Sequence, residues 1–185
     1  MRGWFVETMD EMRAVQEMEH DSDRASALVI SALVEARLTS ALQACLYEDR
    51  KIIDDFFRNS GPLGSFSAKT DLALLMGRLS PDAHKDLVTL RKIRNRFAHE
   101  LGASFEEQSI RDLSANFTLI EKMCVDMESE TEPPPGFAFT MRMSDYNSRI
   151  KGARARFEMT GQLFVAGLDN RARERGRFDD LDNWM

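Results

Sequence analysis

Cysteine is scarce in this chain: two in 185 residues, Cys45 and Cys124. Both fall within helical patterns and neither has metal-ligand spacing, which argues against a disulfide-built fold and sets the expectation of a reducing, cytoplasmic setting. His20, His84 and His99 lie far apart, and none pairs with another ligand at a helix-face spacing, so no metal site is expected. No Ser or Cys nucleophile constellation is visible, and no cofactor is expected. No run approaches a membrane span, and the first ten residues turn acidic before a signal-peptide core forms, so no membrane association is expected. Internal repeats are absent. So is a short glycine turn followed by a polar recognition helix, which would mark a helix-turn-helix. A net charge of −6 excludes a nucleic-acid binder that uses its whole surface, leaving only local basic patches.

What is there is helical periodicity. Residues 2–19 place Phe5, Met9, Met12 and Val15 on one face. Asp21-Ser22-Asp23 is an N-cap cluster, and a long helix follows with Ala25, Leu28, Val29, Ala32, Leu33 and Ala36 in a stripe. Residues 51–57 continue the pattern with Ile52, Ile53, Phe56 and Phe57 toward a core. Asn59-Ser-Gly-Pro-Leu-Gly64 breaks it. That loop lacks the Gly-Lys-Ser/Thr ending of a P-loop and no strand precedes it, so a tight turn is favoured over a phosphate cradle. Ser65 or Ser67 caps the next helix, which turns Leu72, Leu75 and Met76 inward. Ser80-Pro81-Asp82 is a helix start of the N-cap, proline-first kind. Ser104-Phe-Glu-Glu107 has capping-box spacing, and Ile110, Leu113, Phe117, Ile120, Cys124 and Met127 predict one helix behind it. Glu128 to Gly136, acidic with three consecutive prolines, reads as a connector between a bundle at 1–127 and a C-terminal part at 137–185. In that part, residues 137–143 alternate like an extended segment, and 146–168 return to helix.

The stretch that carries chemistry is Asp86 to Glu100. Leu87, Leu90, Phe97 and Leu101 form its apolar stripe, and Arg94 stands inside that stripe where an apolar residue is expected. Asn95 and His99 are four apart and share the neighbouring face. A cation, an amide and an imidazole thus cluster beside a buried seam, with Arg91, Lys92 and Arg96 adding charge. Arg94 could equally snorkel to water, with His99 a satisfied residue at the core edge. A second basic region lies at 141–177, where nine Lys or Arg stand against four acids. Arg149, Lys151, Arg154, Arg156, Arg171 and Arg173 are its candidate nucleic-acid contacts, with a solvated helix face as the plain alternative.

Arg94-Asn95-x-x-x-His99 resembles the signature of HEPN helical domains. With Gly61-Pro-Leu-Gly-Ser-Phe-Ser-Ala-Lys69, Leu72 to Gly77 and Leu90 to His99 in order, residues 25–127 resemble the mannitol operon repressor (MltR-like) family. The resemblance implies an all-α, up-and-down helical bundle, here with a C-terminal helical extension, and a homodimer. It also implies a non-enzymatic regulatory role, through a protein or nucleic-acid partner. HEPN kinship opens two alternatives. One is a metal-independent ribonuclease in which Arg94 holds phosphate, His99 transfers protons and Asn95 orients either, across a dimer interface. The other is a nucleotide or small-ligand sensor that uses Arg91, Lys92, Arg94, Arg96 and His99.

Overall fold

Residues 23–43, the most continuously apolar stretch, form the helix on which the others pack. The computed structural model describes residues 8–20, 22–46, 49–122 and 151–173. Within them lie α1 (Met9–His20), α2 (Asp23–Gln43), α3 (Arg50–Phe57), α4 (Phe66–Leu75), α5 (Pro81–His99), α6 (Gln108–Ala115) and α7 (Ala153–Arg173). No strand occurs among the described residues, and the fold is all-α. The predicted connector at 128–136 and extended segment at 137–143 lie outside the described residues.

α2 packs on α1, α4, α5 and, most extensively, α7. A helix surrounded in this way has little use for a polar face, and this changes the register read from its sequence. Ala32 and Ala36 are exposed, while Ser26, Ser31 and Arg37 go inside with Ile30, Val34, Leu38 and Leu42. The buried polar groups find partners, as burial demands. Ser31 donates to the Ala27 carbonyl at 2.7 Å, and Arg37 forks onto both Glu11 oxygens at 3.1 and 2.9 Å. Lys69 of α4, also buried, reaches Glu35 at 2.8 Å. The expectation that no run approaches a membrane span is corrected for α2, which is long and apolar enough to cross one by length and composition. Its apolar faces are instead covered by four helices, and α2 itself carries the buried Arg37.

Helix starts follow the sequence closely. Ser22, Ser65 and Ser80 each accept the backbone N–H three residues on, and Asp49 does the same for α3. α4 ends on Gly77 at φ 65°, where the Arg78 N–H reaches the Ala73 carbonyl at 2.8 Å and the Gly77 N–H reaches Leu74 at 2.9 Å. That pair of bonds is a Schellman closure, and the left-handed residue in it favours glycine. The Gly61-Pro-Leu-Gly64 loop folds back on the end of α3. The Leu63 N–H donates to Phe56 and the Gly61 N–H to Arg58. A Cβ on Gly61 would sit 2.3 Å from the Asp55 carbonyl, and one on Gly64 would sit 2.5 Å from that of Arg58. The glycines are there so that the turn can close on its own backbone, as the tight-turn alternative holds.

Several predicted faces are corrected. Ile52 and Phe56 of α3 are exposed, and so is Leu75 of α4; Phe57, Leu72 and Met76 do pack against the core. Met9 is exposed where Val15 is buried. Ser104 does not cap a helix in the predicted box. Its hydroxyl donates to Asp23, and α6 begins at Gln108, with Glu107 at the N-cap position. The single helix expected through Met127 is interrupted at 116–118 and restarts at 119. The restart is capped from outside by Asp86 of α5, a residue the sequence did not single out. Asp86 is fully buried and accepts from the Thr118 N–H, the Thr118 hydroxyl and the Leu119 N–H at 2.8–3.0 Å.

The core is continuous from α1 to α7. Phe97 of α5, Phe105 of the following loop, and Phe157 of α7 stack with centroids 4.8 and 5.4 Å apart, and Phe117 meets Phe157 at 6.4 Å. Phe164, Val165 and Leu168 are buried with them. α7, which lies in the predicted C-terminal extension, is thus built into the same core as the helices before it.

Burial pushes the Asp86 carboxyl above its ordinary range, against the pull of the Thr118 and Leu119 bonds. A raised folded value means that its contribution to stability is greatest in acid and declines as pH rises through that value. Asp86→Ala leaves three donors without an acceptor and should cost on the order of 3 kcal/mol. Urea unfolding should show this loss, and the gap from wild type should narrow from acid toward neutral pH. A loss that is negligible, or that widens with pH, contradicts the assignment.

Candidate functional site

α5 carries the candidate residues, and its two faces separate cleanly. Ala83, Asp86, Leu87, Leu90, Ile93 and Phe97 are buried. Ile93 therefore holds the place in the stripe that the sequence assigned to Arg94, and Leu101, read as part of the stripe, is 97% exposed. Arg94 sits one residue round from the seam, half-buried. Its Nη1 donates to Asn95 Oδ1 at 3.0 Å, so the two are held side by side. Asn95 is half-buried, and Ala98 and His99 are exposed in the last turn. Arg91 is half-buried, with its Nε covered and without an acceptor, and Lys92 is exposed. The motif residues are therefore gathered on one accessible surface of α5.

Arg96 is different. Its guanidinium donates to Ser109 at 2.8 Å and pairs with Glu100 and Glu107, each at 2.5 Å. Hydrogen bonds donated to Glu100 and then to Glu107 hold the Arg96 value up, and those accepted from Ser109 and then Arg96 pull the Glu107 carboxyl down. Arg96 is a strut between α5 and the start of α6, so its guanidinium is already engaged within the chain.

The end of α5 is fixed from α2. The Arg24 guanidinium donates to the Phe97 carbonyl and, at 2.6 Å, to that of Glu100. The Phe97 carbonyl is one left open at a helix C-terminus, where positive charge is favoured; that of Glu100 also accepts from the Ala103 N–H at 3.2 Å. Next to it, Asp23 accepts from the Ser104 hydroxyl at 3.1 Å and the Phe105 N–H at 2.9 Å, and pairs with Arg154 at 3.2 Å. Sequence reading missed both residues as site supports. The only signal was the charge of two residues following a serine cap.

In the second basic region, the two arginines whose contacts are described are engaged within the fold. Arg154 pairs with Asp23 and with Glu158 at 2.7 Å. Arg156 donates to the Ser114 carbonyl at 2.9 Å and pairs with Glu121 at 2.6 Å. Both are internal ties. Lys151 is exposed, Arg171 and Arg173 lie at the end of α7, and Arg149 is outside the described residues. Among the described residues no three His, Cys, Asp or Glu side chains converge as metal ligands.

With this geometry in place, one solved structure is informative. A crystal structure of the MtlR–HPr complex from Escherichia coli contains a chain that superposes with a TM-score of 0.55. The match covers 89% of this chain and 99% of that one at 17% identity. The fold is that of MtlR. No protein-family model and no curated protein matches the sequence. The likeness to MtlR therefore lies in the arrangement of helices, and it agrees with the bundle that the sequence resemblance implied.

Arg96→Ala should lower the melting temperature more than Arg94→Ala, because Arg96 bridges three groups and Arg94 holds one neighbour on the surface. In the same variant the Glu107 carboxyl, followed by NMR titration, should move up toward its ordinary value near ~4.3. By the sign of its shift, the Glu107 contribution is present above that value and lost as pH falls through the folded one. Equal melting temperatures with an unmoved Glu107 would remove Arg96 as a strut.

Proposed function

We propose that this chain is a non-enzymatic regulatory protein that works by docking a protein partner. The observation that carries this is the match to the MtlR chain, whose structure was determined as a complex with HPr. Two features of the site support it. The motif residues lie on an open helix face, suited to a macromolecular surface. Arg154 and Arg156, the residues that would extend a track for nucleic-acid phosphates, are tied up internally. The proposal places the protein in the cytoplasm and allows a homodimer as the working form.

A metal-independent ribonuclease is the second reading, favoured by one observation. Arg94 and Asn95 are pre-aligned by their hydrogen bond, with His99 accessible one turn on. In that reading, two copies of the motif face each other across a dimer.

Two measurements on the purified full chain separate these. Calorimetric titration with HPr from the same cell should show saturable binding. Incubation with RNA in EDTA should show no cleavage that His99→Ala abolishes. Absence of HPr binding together with His99-dependent cleavage would replace the proposal with the ribonuclease.

A further inference from the structure

The face of α5 opposite its buried seam is a regular strip. Lys85, Val88, Lys92, Asn95 and His99 follow one another at alternating steps of three and four, the spacing by which one helix lies along another. Lys85, Lys92 and His99 are exposed, and Val88 and Asn95 are half-buried. At 1.5 Å per residue the strip runs for about 21 Å. Arg91 and Ala98 flank it, Arg94 lies round toward the seam, and Leu101, at 97% exposure, stands just past its end.

The charge on this strip is uncommitted. Elsewhere Arg37, Lys69, Arg96, Lys122, Arg154 and Arg156 pair with carboxylates of the chain itself. No ion pair among the described residues engages Lys85, Arg91, Lys92 or Arg94; Arg94 bonds the neutral Asn95. Three cations, Lys85, Lys92 and the flanking Arg91, thus line one side of a helix in a chain whose net charge is −6. A second copy laid on the same face would bring like charges together. A nucleic acid would gain little from a track this short, and it has no use for the valine, alanine and leucine along it. Those apolar positions and the small Ala98 suit close approach of a helix.

We propose that this strip is the docking site for an acidic amphipathic helix of a protein partner. The partner's carboxylates meet Lys85, Arg91 and Lys92, and its apolar stripe covers Val88, Ala98 and Leu101. This inference rests on the partner-docking reading and assigns it a place and a chemistry.

The probe is a synthetic helical peptide of about 14 residues, matched to the strip length, with glutamates flanking a leucine–alanine stripe. It is titrated into the isotope-labelled full chain and followed by NMR. Amide shifts should concentrate on residues 85–101. Affinity should fall about tenfold when salt is raised from about 0.05 M to about 0.3 M. Lys85→Glu with Lys92→Glu should abolish binding without changing the melting temperature, whereas Lys51→Glu on α3 should leave it intact. Should the double reversal fail to fold, Lys85→Gln with Lys92→Gln should weaken binding about tenfold, a change of about 1.4 kcal/mol. Shifts centred elsewhere, no salt dependence, or an RNA oligonucleotide that displaces the peptide from α5 would overturn the proposal. HPr binding that leaves the α5 amides unmoved would overturn this site while leaving partner docking in place.

Discussion

The arrangement depends on the first turn of α2. Ser22 caps the helix, Asp23 takes the Ser104 hydroxyl, the Phe105 N–H and Arg154, Arg24 closes the end of α5, and Ser26 donates to Glu158 of α7 at 2.9 Å. Four of the five positions from Ser22 to Ser26 thereby cap α2 and fix three other parts of the chain. Each bond is modest, yet together they satisfy groups that would otherwise be stranded at helix ends, where an unmet partner costs more than a met one returns. The aromatic stack of Phe97, Phe105 and Phe157 joins the same three parts through their side chains. Polar corner and apolar stack are two layers of one joint.

That joint explains why the outer face of α5 is free. The inner face is held by the core, the C-terminus by Arg24 and the flank toward α6 by Arg96. The helix needs nothing from its remaining surface, so lysines and arginines there can stay uncommitted without destabilising it. Positions that the fold does not use are those on which a binding function can be built. The likeness to the MtlR chain, at the level of helix arrangement, shows the same scaffold present in a protein solved with a partner.

Much of the scaffold was legible in the sequence. Serine caps at 22, 65 and 80, and the Pro81 start, are local signals that hold wherever the helix sits. The α5 motif was found because it is contiguous. What was not legible depended on long-range partners. Ser26, Ser31 and Arg37 read as surface residues until α7 and α1 cover them. Asp86 reads as one more charge on α5 until Thr118 and Leu119 come against it. Arg94 and Ile93 are neighbours 100° apart, and periodicity alone does not say which one faces the core. Ser104 had the right spacing for a capping box, but Asp23 claimed its hydroxyl from a distance of 81 residues. In each case a tertiary bond outweighed a local preference.

The most direct test of this account is amide hydrogen exchange on Arg24→Ala compared with wild type. If the α2 corner holds the end of α5, protection should fall at residues 97–105 while the centre of α2 keeps its own. Unchanged exchange at 97–105, or a uniform loss across every helix, would contradict it.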